Sequence, residues 1–113
     1  MAKRPGTRAE ERACRLLRRE GYQIVARNWR GRFGEIDIVA REGAIIVFVE
    51  VKARSGDGFG GPRAAVDAAK QRRIALTAAE FLQATGCELA ARFDVVTFSG
   101  SGATLLRNAF WVG

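Results

Sequence analysis

The stretch Gly34 to Arg54, GEIDIVAREGAIIVFVEVKAR, decides the fold. Its second half holds Ala44 to Val49, an unbroken apolar run rich in Ile and Val. Such a run is too short for an ordinary helix and suits a strand buried on both faces, which makes it the centre of a sheet. The run ends in Glu50, Val51 and Lys52, so an acid and a base two positions apart leave the same face of the strand. About Glu35 to Ala40 reads as the preceding strand, carrying Glu35 and Asp37, with a tight hairpin expected at Glu42-Gly43. A loop with an even number of residues puts Asp37 on the face of Glu50 and Lys52, as an opposed or diagonal neighbour. An odd loop puts it on the other face.

Two carboxylates held close where water is scarce either share the site with a proton or bind a cation. A hard divalent metal suits them: magnesium takes one or two carboxylates plus water and substrate phosphate, and a neighbouring lysine can orient the attacking water and offset phosphorane charge. The plainer alternative is a strand-end ion pair between Glu50 and Lys52 with Asp37 solvated, since an isolated E-x-K occurs often by chance.

The motif does not stand alone. G-E-I-D at Gly34, F-V-E-V-K-A-R at Phe48, A-R-N-W-R at Ala26 and R-F-D-V-V at Arg92 together resemble the YraN-like family of small bacterial proteins. That family is similar in fold to the restriction-endonuclease-like, PD-(D/E)xK nucleases, and the resemblance runs from about Gly6 to Phe110. It implies Asp37, Glu50 and Val51 as metal-binding positions, Lys52 as the catalytic lysine and Mg2+ or Mn2+ as cofactor. Ile36 stands where the superfamily motif carries proline. An E-x-x-A element, here Glu10 to Ala13, implies Glu10 as a further acid at the metal; the helix dipole alone also accounts for an acid there. The same resemblance makes Lys70 a supporting cation, against a plain snorkelling lysine at a helix edge.

At 113 residues the chain is expected to form a single nuclease-like domain. Its 48% apolar and 27% charged residues are those of a globular protein. A net charge of +7 points to a polyanionic partner such as DNA, although 16 of the 19 basic residues are Arg, a bias that genome composition also produces. Against that background the three lysines, Lys3, Lys52 and Lys70, carry information. Lysine shifts its pKa on burial, whereas arginine neither gives nor takes a proton. The absence of His removes His-dependent nucleases, Ser-His-Asp triads and most zinc chemistry. Cys14 and Cys87 have no motif spacing and read as small packed side chains in a reducing compartment. With no signal-peptide pattern and no apolar run of membrane-spanning length, the expectation is a cytoplasmic protein.

In chain order, residues 1–6 read as a loose basic tail. Thr7 to about Glu20 reads as a helix stopped by Gly21, with Ala9, Ala13, Leu16 and Leu17 buried. Arg8, Arg12, Arg15 and Arg19 form a basic row at its flank, which together with Arg54 is the candidate nucleic-acid surface; a solvated charge row is the commoner reading. Tyr22 to Asn28 is an expected strand and Trp29 to Phe33 a basic turn, with Trp29 assigned to the core rather than to base stacking. The run 55–61 is Gly-rich and expected to be a flexible loop at the mouth of the site. A second helix is expected from Pro62 to about Thr85, with Asp67, Lys70 and Gln71 on its inward face. Ala91 to Ser99 and Thr104 to Val112 are two further strands, Asp94 has a structural role, and the aromatic C-terminus either packs on the core or makes a homodimer contact.

These readings combine into an α/β sandwich of order αβββαββ, with a mixed sheet of about five strands flanked by helices. The expected activity is metal-dependent phosphodiester hydrolysis on DNA, branched or otherwise structured. The rivals are a nucleic-acid-binding module without catalysis, which would use the basic face alone, and an accessory that binds a protein through its aromatic C-terminus.

Overall fold

The computed structural model describes residues 8–54, 66–100 and 102–110, with Ala53 and Arg54 described by backbone only. The expected tail 1–6, the Gly-rich loop 55–61 and Thr7 as a helix cap therefore lie outside the described residues. The elements are α1 (Arg8–Arg19), β1 (Gln23–Arg30), β2 (Glu35–Glu42), β3 (Ile45–Arg54), α2 (Ala68–Thr85), β4 (Ala90–Ser99) and β5 (Gly102–Leu106). The five strands form one sheet in chain order, with β3 and β4 parallel and every other pair antiparallel. A parallel neighbour needs a crossover, and α2 lies within it. The αβββαββ sandwich expected from the sequence is the one found.

Each helix covers one face. Ala13, Cys14 and Leu17 of α1 pack on Ile38, Ala40, Val47, Val49, Val96 and Phe98. Ala78 and Phe81 of α2 pack on Ile36, Val39, Ile46 and Phe48. The alternation along β3 follows from its pleat, Val47 and Val49 facing α1 and Ile46 and Phe48 facing α2. Helix α1 ends where Gly21 takes φ 94 and the Tyr22 N–H returns to Leu17 O at 2.9 Å.

Several boundaries differ from expectation. Helix α2 begins at Ala68, not Pro62, because Asp67 is extended (φ −77, ψ 175) and its side chain caps the helix by accepting from Lys70 N–H. Pro62 itself lies outside the described residues. Strand β1 continues through Trp29 to Arg30, leaving only 31–34 as the turn; the Trp29 ring meets Phe81 edge-on at 5.3 Å, and that packing keeps the residue in the sheet. Strand β5 stops at Leu106 instead of Val112. Asn108 turns the chain at φ 56, Ala109 N–H donates to Phe93 O at 2.7 Å, and Phe110 stacks on Phe93 at 4.9 Å. The register of β1 on β2 shifts between Ile24 and Ala26, a bulge that leaves Val25 exposed.

Midway along β4, in register with Val49 of β3, Asp94 is fully buried. It accepts from Tyr22 Oη at 2.6 Å, Arg92 Nε at 2.9 Å, Arg92 Nη2 at 3.0 Å and Asn108 N–H at 2.9 Å. Arg92 continues to Glu42 at 2.6 Å, and Glu42 accepts from Arg107 at 3.1 Å. The network ties β2, β4 and the turn after β5 together through charge-assisted hydrogen bonds.

Candidate active site

The β2–β3 turn sets everything that follows. Glu42 pairs with Ile45 across a two-residue loop of Gly43 and Ala44, one position later than expected and even in length. Gly43 has φ 61, which such a tight loop requires. The pairing runs up to Ile38 with Val49, leaving Asp37 and Glu50 as the next residues of the two strands, and the Asp37 charge acts on Glu50. The Val51 N–H donates to Asp37 Oδ2 at 2.9 Å, fixing that carboxylate against β3. Asp37 and Glu50 thus come together as parity requires. At Asp37 the strand alternation is out of step: Ile36 and Val39, three apart, both pack beneath α2.

Glu50 is 3% exposed. Lys70 Nζ lies 3.5 Å from its Oε1, and among the described residues its Oε2 has no hydrogen-bond partner. Burial first, and the Asp37 charge second, push its carboxyl up to about 8, while Lys70 and Lys52 pull the other way. Lys52, two residues along the strand, shares the face of Glu50. Its amine is held below the ordinary lysine value, chiefly by a hydrogen bond with Lys70 and then by burial. Burial lowers Lys70, but the Lys52 hydrogen bond and the Glu50 and Asp37 carboxylates outweigh it and leave that amine raised. Of the two adjacent amines, Lys70 is therefore the one that stays charged and Lys52 the one that gives up its proton more readily.

Glu10 is 4% exposed. Asn28 Nδ2 donates to both its oxygens, at 3.2 and 3.1 Å, and to Glu35 Oε2 at 2.9 Å. Asn28 has left-handed backbone, φ 52, and sits on β1 between the residues paired with Ile38 and Ile36, hence across from Asp37. Among the described residues no three acids or cysteines gather closely enough to hold a metal, so Glu10 is not brought into one cluster with Asp37 and Glu50. The Asn28 bridge was missed in the sequence; its one signal is an asparagine, a poor strand former, inside a strand run.

The donor set nonetheless fits a hard cation. A buried carboxylate oxygen without a partner, facing a second carboxylate, is the arrangement a divalent ion satisfies, and magnesium completes its shell with water and phosphate rather than protein. Asp37 and Glu50 would hold it.

The basic row divides. Arg12, Arg15 and Arg19 line a groove of about 390 Å3 with Leu16, Phe98 and Ala103, and the Arg12 guanidinium lies 4.4 Å from the Phe98 ring centroid. Arg8 is exposed and does not line it. The Arg54 side chain lies outside the described residues.

Among known proteins, the family described as Uncharacterised protein family UPF0102 matches residues 9–98. A UPF0102 protein of Symbiobacterium thermophilum is 50% identical across 97% of this chain and 98% of its own. One from Alkalilimnicola ehrlichii is 46% identical across 93% of this chain and 85% of its own. Of solved structures, a Holliday junction resolvase from Archaeoglobus fulgidus matches with a TM-score of 0.59 and 22% identity, over 90% of this chain and 76% of that one. That likeness is one of fold, the restriction-endonuclease-like sandwich. With four-fifths of its length matched by the family and near-full-length relatives at such identity, the chain belongs to UPF0102, the YraN family.

Proposed function

We propose that this protein is a metal-dependent endonuclease that hydrolyses phosphodiester bonds in DNA, with branched DNA as its substrate class. The observation that carries the proposal is Glu50: a buried carboxylate with one oxygen unpartnered, opposed to Asp37 and followed by a lysine whose amine is shifted toward neutrality. A magnesium or manganese ion bound by the two carboxylates supplies Lewis-acid activation of the phosphodiester and of water. The chain's own parts do the rest. Val51 N–H orients Asp37. Lys52, with its lowered pKa, orients water and accepts a proton from it. Lys70 stays cationic beside Glu50 and offsets charge on the phosphate oxygens. Branched DNA is supported by the fold shared with a Holliday junction resolvase, and DNA more broadly by the net charge of +7.

The test is cleavage of a four-way DNA junction with magnesium or manganese, and its absence in EDTA. Lys52→Ala should bind the junction with near wild-type affinity and cleave it about a hundredfold or more slowly, the range expected for a lost proton-transfer group. Equal cleavage by the two proteins refutes the assignment.

The groove of Arg12, Arg15 and Arg19 serves in this reading as a phosphate track on the α1 side. Replacing Arg15 and Arg19 by Ala should weaken binding to all DNA sequences alike. It should also reduce the slope of log K against log salt by about two. An unchanged slope would mean that the groove is only solvated.

A further inference from the structure

A second, smaller cavity of about 130 Å3 lies between the start of β2 and the first turns of α2, lined by Gly34, Glu35, Lys70, Arg73, Ile74 and Thr77. Lys70 and Arg73 stand three apart on α2, so their side chains leave neighbouring positions of one face. Lys70 also reaches Glu50 at 3.5 Å, so one residue of the cavity wall touches the carboxylate site. Arg73 is exposed, and its guanidinium forms no ion pair with any described acid. Glu35, the one acid in the lining, is already engaged by Asn28 Nδ2 at 2.9 Å and by Arg30 Nη2 at 3.2 Å. The Thr77 hydroxyl donates to Arg73 O at 2.8 Å and closes the floor. Gly34 leaves the space open: a Cβ there would reach to 3.7 Å from Thr77 Oγ1 and occupy part of it.

A concave space this small, with an unpaired guanidinium on its rim and an ammonium in its wall, suits one tetrahedral oxyanion. The planar fork of arginine matches phosphate oxygens two at a time. We infer that the cavity seats a phosphate of the nucleic-acid strand next to the phosphodiester facing Asp37 and Glu50. The anion site rests on the cavity itself, and only the identity of its ligand rests on the endonuclease reading. Arg73 then sets where the strand lies and touches no reacting atom, which makes it a positioning residue.

Two measurements on the full-length protein test this. The first is a nuclear magnetic resonance titration in EDTA with a short single-stranded oligonucleotide, and separately with inorganic phosphate. The Gly34 amide and the Arg73 side-chain Nε should shift with the oligonucleotide at lower concentration than with phosphate, and Arg73→Ala should abolish the Gly34 shift. The second is cleavage of the junction: Arg73→Ala should raise KM about tenfold with kcat changed less than about threefold, and Arg73→Lys should recover part of that loss. Shifts with phosphate alone, or none at Gly34 and Arg73, overturn the inference. So does a wild-type KM in Arg73→Ala, and in that case an active wild type leaves the endonuclease reading standing. Conversely, a wild type that cleaves nothing while Gly34 and Arg73 still respond to the oligonucleotide keeps the cavity and discards the endonuclease reading.

Discussion

Asp94→Ala should cost about 3–5 kcal/mol of stability, the penalty typical of breaking a buried ion pair by removing one partner. Asp94 has no solvent exposure and four donor contacts, two of them from the Arg92 guanidinium, which is itself largely covered. Alanine would leave that guanidinium with Glu42 and the Tyr22 hydroxyl oxygen, and would strip the Tyr22 O–H and the Asn108 N–H of their acceptor. Burial, and then the hydrogen bond to Asp94, raise the Tyr22 phenol above its ordinary value, so it remains a donor across the physiological range. Asp94→Asn should cost less, about 2–3 kcal/mol, because it keeps the shape while losing the charge that Arg92 faces. Urea unfolding with an unchanged m-value measures both. A loss under about 1 kcal/mol in Asp94→Ala would show that the network contributes little to stability.

Glu50→Gln should reverse the order of stability according to whether metal is present. In the apo protein the Glu50 carboxyl titrates near 8, against an ordinary value of 4.5. The folded state therefore holds a proton that the unfolded chain releases, and wild-type stability falls as pH rises from about 4.5 to 8. At pH 8 and above in EDTA, the Gln variant, which lacks this linkage, should be more stable than wild type by roughly 2–4 kcal/mol, less than the full shift because the site is shared with Lys70 and Asp37. Near pH 4.5 that advantage should vanish. Adding manganese at a hundredfold excess over its dissociation constant stabilises a folded binder by about 2.7 kcal/mol, and Gln should forgo most of it. Thermal melting of both proteins at constant ionic strength is the measurement. Equal metal-induced shifts would show that Glu50 is no ligand.

The centre of the sheet was legible because Ala44 to Val49 leaves few alternatives, and the meeting of Asp37 with Glu50 because hairpin parity is a binary question that a tight turn answers. Other features were hidden for physical reasons. Pro62 is a good first-turn residue, yet Asp67, one turn later, caps the helix with its own carboxylate, and local preference does not rank two competent starts. Trp29 already reads as a core residue, but the arginines around it read as a turn, and only its packing on Phe81, far along the chain, explains why it continues strand β1. The Tyr22–Asp94 bond spans 72 residues, beyond any periodicity. Arg73 resembles its neighbour Arg72 in sequence; the cavity beside it exists only once β2 and α2 are packed.

The bulge at Val25 bears on how this sheet meets other molecules. Strand β1 is one of its two edges, and an edge presents unpaired N–H and C=O groups that invite a strand from another chain. A register break near the start of β1 twists that edge, and Arg27 and Arg30 add charge to it. The opposite edge, β5, is only five residues long. Neither border offers a long flat template, so the chain can carry a core strand as apolar as β3 at its centre without recruiting further strands at its margins.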